Sequence, residues 1–156
     1  MTLEEYEKSY FQLYADFAQT IAGILGVAIK HDGHFLPPII THRAKSTNSL
    51  RKKLIERGVP EDSDIQSEIK DIAGARVVFY TESDATSPNI SRLIYSNFVV
   101  ENIKGHHPVG SGKAVTDLYV GQHFLVCLNN ERLELPEYKR FSGMKCEIQI
   151  QSILNH

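Results

Sequence analysis

Apolar residues recur at spacings of three and four along residues 3–29. Tyr6, Tyr10, Leu13, Phe17, Ile21 and Leu25 share one side, with Glu4, Lys8 and Asp16 off it. That period predicts an amphipathic helix whose aromatic stripe is a packing face rather than a ligand site. Asp32-Gly33 and Pro37-Pro38 then mark a turn over 31–38. Residues 39–42 suit a short strand. A helix is expected from Ser46 to Arg57, with Ser46 or Thr47 as cap, Leu50 and Leu54 facing inward and Gly58 at the stop.

Further on, Ile65–Ile69 predicts a short helix. Ala73 to Tyr80 is a nearly continuous apolar run, the pattern of a buried strand. Residues 88–97 suit a helix with Ile90, Leu93 and Ile94 inside, followed by a strand from Phe98 to Ile103. The Gly-, His- and Pro-rich stretch 104–116 predicts a loop, Leu118–Leu128 a strand, and 131–143 a second connection. In Lys145–Gln151, Cys146, Ile148 and Ile150 alternate with Glu147, Gln149 and Gln151, the period of a strand with two unlike faces. Helices interleaved with at least four strands predict an α/β or α+β fold with a mixed sheet, in one domain over residues 1–156.

Composition narrows the function classes. With 156 residues and 42% hydrophobic content, the chain can bury a real core. Seventeen Lys+Arg against nineteen Asp+Glu give a net charge of −2, no global attraction for nucleic acid or a membrane surface. No apolar run approaches the roughly 20 residues of a membrane span, and the acidic start Met1-Thr2-Leu3-Glu4-Glu5 is unlike a signal peptide. Cys127 and Cys146 form no C-x-x-C and read as two reduced, buried thiols of a cytoplasmic protein. The histidines, His106-His107 included, lack metal-ligand spacing for a structural zinc.

Three segments invite chemistry. Arg43, Lys45, Arg51, Lys52 and Lys53 put five cations within eleven residues around a helix start. The helix dipole disfavours cations there unless an anion binds, and helix N-termini do bind phosphate. Lys45, Ser49 and Lys53, spaced four apart, can share one helix face; the competing reading is a solvated basic face. Asp71 stands at the entrance of the apolar strand, where it either marks the strand's start or serves as a Mg²⁺ ligand. Glu147 and Gln149 share the polar face of the last strand. If that face lines a cleft, Glu147 can meet Asp71, and two such carboxylates can hold one metal or divide into ligand and base.

Taken in order, these segments resemble the synthetase domain of the RelA/SpoT family. That family shows R-x-K-S-x-x-S-x-x-x-K, then D-I/L-x-G-x-R, then G-Y-x-x-x-H, then E-I-Q-I-x-T. The counterparts here are Arg43, Lys45, Ser46, Ser49 and Lys53; Asp71 through Arg76; Tyr119 and His123; and Glu147 through Ser152. The resemblance implies a nucleotidyltransferase-like mixed sheet flanked by helices. It implies transfer of the β,γ-diphosphate of ATP to the 3′-hydroxyl of GDP or GTP, with AMP leaving. Arg43 would then contact the adenosine end of ATP, and Lys45, Ser49 and Lys53 its phosphates. Asp71 would bind Mg²⁺, with Glu147 as second carboxylate or base. Tyr119 would stack on guanine, with His123 and Gln149 beside the acceptor.

The acceptor segment departs from the pattern: Leu118 replaces Gly before Tyr119, Val120 follows it, and Asp117 stands where Asn is usual. The acceptor thus stays open between GDP or GTP and, as in toxin-like relatives, the 3′ end of tRNA. A nucleotide sensor without catalysis is the third reading. Family members continue beyond this point, so a further C-terminal segment is expected, and a homo-oligomer is compatible. His31-Asp32 stands alone beside a glycine turn, so no hydrolase activity is expected.

Overall fold

A computed structural model of the chain describes residues 1–105 and 121–155. The chain starts into helix α1 (Leu3–Asp32) through a capping box: the Thr2 hydroxyl accepts from the Glu5 backbone N–H, and the Glu5 carboxylate accepts from that of Thr2. Tyr6–Tyr10 then forms a π turn, closed by a bond from the Phe11 N–H to the Tyr6 carbonyl. A π turn holds one residue more than an α turn and rotates everything after it. The buried stripe therefore runs Tyr6, Tyr14, Phe17, Ile21, Leu25, while Tyr10, expected inside, is 42% exposed. The helix also runs past the expected end at residue 29 and stops at Gly33, whose φ of 77° is open to glycine.

By length and composition α1 could cross a membrane, which corrects the expectation that no segment comes near that. Its buried face instead belongs to the protein's core: Phe17, Ala18, Ile21, Leu25 and Ile29 cluster with the sheet. Burying a Phe, Ile or Leu side chain stabilises a fold by about 1.5–3 kcal/mol.

Strand β1 (Ile39–Ala44) leads to helix α2 (Thr47–Glu56), capped by the Ser46 hydroxyl and ended before Gly58, φ 67°. Short helix α3 (Ile65–Glu68), capped by Asp64, precedes β2 (Ala73–Phe79). Another short helix, α4 (Glu82–Ala85), was not legible beforehand. It is followed by α5 (Pro88–Asn97), where Ser87 caps and Pro88 takes the first turn. Then come β3 (Phe98–Gly105) and β4 (Gln122–Leu128). The 131–143 connection contains α6 (Asn130–Leu133) and a 3₁₀ turn at Lys139–Phe141, and the last strand is β5 (Cys146–Ser152).

The strands form one mixed sheet in the order β1-β2-β5-β4-β3. Among the described residues only β2 with β5 is a parallel pair; the other pairs are antiparallel. The fold is α+β. One face of the sheet carries Ala75, Val77, Phe124, Val126, Cys146, Ile148 and Ile150 into the core against α1 and α5. The other face carries the polar alternates. Both cysteines are free, but only Cys146 is buried; Cys127 is half-buried, because β4's alternation turns it to the polar face.

Candidate active site on the polar face of the sheet

Pairing register decides which side chains meet. Residues directly opposite one another in neighbouring strands share a face. Arg43 lies opposite Gly74, which lies opposite Glu147; one row along, Thr41, Arg76, Gln149 and His123 are partners in turn. Two polar rows thus cross the middle of the sheet and line a cleft with Thr41, Arg43, Asp71, Gly74, Arg76, Glu147 and Gln149. Gly74 forms its floor. A Cβ there would stand between Arg43 and Glu147, so the residue with no side chain opens the space between the cation and the carboxylate.

Asp71 reaches the cleft because β1 and β2 are antiparallel. Ala44 pairs with Ala73, and the Lys45 N–H continues the ladder by donating to the Ile72 carbonyl at 2.8 Å. The Lys45 carbonyl accepts a 2.6 Å bond from the buried Tyr6 hydroxyl, so this residue is clamped on both backbone sides. Burial without a strong counter-charge pushes the Tyr6 phenol well above the ordinary range, which keeps it a donor. From its clamped backbone, Lys45 bonds one Asp71 oxygen. Helix α2 turns back, and Lys53, about two turns along it, bonds the other oxygen at 2.8 Å.

Burial alone would raise the Asp71 pKa. The hydrogen bonds and charges of Lys45 and Lys53 outweigh it and hold the carboxyl at about 2. Three residues from two distant motifs therefore meet at one ionised carboxylate. Lys45 is not on the helix, as its spacing suggested; it precedes the Ser46 cap. Ser49, on the first turn, donates its backbone N–H to the Ser46 hydroxyl and accepts a bond from that hydroxyl; like Lys45 and Lys53 it is not among the residues lining the cleft, and it does not touch Asp71.

On β5, the Glu147 carboxylate accepts from the Gln149 amide at 3.0 Å, and His123 Nδ1 lies 3.4 Å from the same oxygen. Asp71 and Glu147 both line this cleft. Among the described residues no group of three or more His, Cys, Asp or Glu could hold a metal by itself. Two carboxylates beside a cationic wall suit Mg²⁺, which takes one or two carboxylates plus water and substrate phosphate, and they do not suit a closed zinc site. Tyr119 lies outside the described residues.

Arg76 had no role assigned from sequence, though it lies in the D-I-A-G-A-R stretch. Its signal was a guanidinium in the middle of an otherwise apolar strand. Its Nε donates to the Gln149 carbonyl oxygen at 3.3 Å. The basic cluster around Arg51 is largely spent: Arg51 bonds Glu61 at 2.7 Å, and Arg57 bonds the Glu68 carbonyl.

Comparisons with known proteins bear on the family and the fold. Residues 42–156 match the family model described as a region found in RelA / SpoT proteins. No curated protein matches the chain significantly. Among solved structures, small alarmone synthetase 1 from Bacillus subtilis is 18% identical with a TM-score of 0.70, over 97% of this chain and 73% of that one. Small alarmone synthetase 2 from the same organism is 23% identical with a TM-score of 0.66, over 97% and 74%. A GTP pyrophosphokinase family protein from Streptococcus pneumoniae is 22% identical with a TM-score of 0.64, over 99% and 72%. The Bacillus subtilis synthetase 1 has also been solved bound to its product pppGpp and bound to AMPCPP. At these identities the likeness is one of fold.

Proposed function

The chain belongs to the RelA/SpoT family, and from that premise we propose that it is a cytoplasmic, ATP-dependent pyrophosphokinase that makes (p)ppGpp from GDP or GTP. The observation that carries the reading is that Asp71, bonded by both Lys45 and Lys53, lines one cleft with Glu147. Diphosphate transfer asks for charge neutralisation and in-line positioning more than for covalent chemistry. A cation pair and a carboxylate pair side by side supply that.

In this reading the polyphosphate of ATP takes Lys45 and Lys53 as its cations, and Arg43 borders the adenosine end. Asp71 and Glu147 would hold Mg²⁺, which supplies charge neutralisation on the transferred diphosphate. Glu147 accepts the proton of the acceptor 3′-hydroxyl. The 3′-oxygen forms a bond to the β-phosphorus of ATP, the bond from that phosphorus to the α-bridging oxygen breaks, and AMP leaves with the electron pair. Gln149 and His123 border the acceptor, and Tyr119 stacks on its base, an interaction worth about 1–3 kcal/mol.

A tRNA acceptor would ask for an open basic surface. The engagement of Arg51 and Arg57 argues for a nucleotide instead. The test is incubation with γ-labelled ATP and Mg²⁺, separately with GDP, GTP and bulk tRNA. Label on GDP or GTP is expected. Label on tRNA alone would overturn the acceptor assignment, and no transfer to any acceptor would leave a nucleotide-binding sensor.

A further inference from the structure

Glu147, Gln149 and Gln151 stand in one file on the polar face of β5, and their hydrogen bonds run one way. A carboxylate only accepts, so the end of Gln149 that meets Glu147 Oε1 at 3.0 Å is its N–H. The Gln149 carbonyl oxygen then points along the strand, and Gln151 gives it an N–H at 3.4 Å. A glutamine amide by itself can face either way; here the carboxylate at the foot of the file sets both. The acceptor that Gln151 has left over is its own carbonyl oxygen, to which nothing donates among the described residues.

Register places this half-buried amide between two residues without polar side chains. Its partner on β2 is Val78, which is 3% exposed and yet stands outside the core cluster, two residues along from Arg76 on the polar face. On the other side, just before β4, is Gly121, where a Cβ would lie 3.3 Å from the Gln151 side chain. A nucleobase needs this combination, apolar surface around it and a hydrogen-bonding group at its edge. A phosphate needs a cation. The strand carries none after Lys145, which stands at the opposite end and bonds Glu101 at 2.7 Å.

We propose that Gln151 is a specificity-determining residue that reads the base of the acceptor nucleotide. Resting on the diphosphotransfer reading, this adds a base contact to it. Glu147 and Gln151 are about 13 Å apart along the strand, the span of a nucleoside with a hydrogen bond at each end. With its 3′-hydroxyl at Glu147, a nucleotide laid along β5 brings its base to Gln151. The free carbonyl oxygen there accepts from the N1–H and 2-amino group of guanine. Adenine offers an unprotonated N1 and no 2-amino group, so acceptor meets acceptor and the contact repels. A polar group built to bond one base rejects the analogue that leaves it unpaired. The direction of the amide file, set by Glu147, thus keeps adenine nucleotides out of the acceptor's place.

The experiment compares wild type with Gln151→Met, which keeps the length and removes the oxygen. Label transfer from saturating γ-labelled ATP is followed to GDP, to IDP, which lacks the 2-amino group, and to ADP. Wild type should rank GDP above IDP above ADP in kcat/KM. Gln151→Met should lower kcat/KM for GDP about 10–100-fold, the worth of a bidentate contact to a base edge, lower that for IDP less, and leave ADP within threefold. A KM for ATP within twofold reports an intact fold and donor side. A loss shared equally by the three acceptors, or a preference for GDP over ADP that survives the substitution, overturns the assignment. If wild type transfers no label to any of them, the diphosphotransfer reading fails, and calorimetric titration of both proteins with GDP and ADP in saturating AMPCPP decides. A GDP preference present in wild type and gone in Gln151→Met upholds the base contact; equal affinities, or no binding, overturn it.

Discussion

Tyr6 and Lys45, thirty-nine residues apart, are joined by a 2.6 Å hydrogen bond from a fully buried phenol to a backbone carbonyl. The π turn beginning at Tyr6 sets the register of α1, and the bond fixes the backbone from which the Lys45 ammonium reaches Asp71. Tyr6→Phe keeps the ring and removes the donor, leaving the Lys45 carbonyl short of a partner. An unmet buried polar group costs about 1–3 kcal/mol. Urea denaturation should show that loss with an unchanged m-value, and ATP affinity should fall as Lys45 loosens.

Asp71 links stability to pH. Its folded pKa of about 2 lies below the ordinary 3.8, so the folded state binds this proton more weakly than the unfolded chain does. The stabilisation is therefore fully present above about pH 4 and is lost as pH falls from 3.8 towards 2. One pKa unit is about 1.4 kcal/mol, and solvent around Lys53 trims the total to about 1–2 kcal/mol. Wild type and Asp71→Asn, compared by urea unfolding across this window, should differ at pH 5 and converge near pH 2.

Glu147→Gln keeps the shape of the side chain and removes the base. Proton transfer by a positioned side chain is worth about 10²–10⁴-fold. Turnover should fall by that factor while ATP binding, measured by calorimetry, stays near normal because Lys45 and Lys53 are untouched. A rate within twofold of wild type would remove Glu147 from the mechanism.

Gly121 sits at φ 93°, and a Cβ there would stand 3.0 Å from the Ile150 carbonyl and 3.3 Å from Gln151. Gly121→Ala should cost about 1–3 kcal/mol from backbone strain, before any clash. It should lower the thermal midpoint. Because Gln151 bonds Gln149 on the polar face of β5, it should also lower turnover.

Much of this site was legible because local rules and tertiary structure agree. Ser46 before an apolar period, the spacing of Ile90, Leu93 and Ile94, and the alternation of Cys146–Gln151 each dictate an element by capping or by period, and each stands as expected. The cleft also followed, since a strand whose outward residues are Glu147 and Gln149 needs a polar space to face. What stayed hidden depends on through-space geometry. The π turn at Tyr6–Tyr10 leaves no compositional mark, so Tyr10 was placed inside and Tyr14 was missed. Lys45 looked like a helix residue because i, i+4 spacing cannot tell a cap from a turn. Arg76 meets Gln149, a partner seventy-three residues away, only through strand register. Tyr119, the expected base platform, lies outside the described residues.

The order of strands in space differs from their order along the chain. β5 is the fifth strand to be made, yet it lies between β2 and β4. Until it slots in, β2 and β4 present bare edges, and neither Glu147 nor Gln149 has a neighbour to act on. Contacts so distant in sequence form late and slowly. On the ribosome, the halves of the cleft would therefore be synthesised as inert pieces. A chain still being translated holds Lys45 and Lys53 against Asp71 long before Glu147 joins them, so the cleft is completed in one step, with the closing of the sheet.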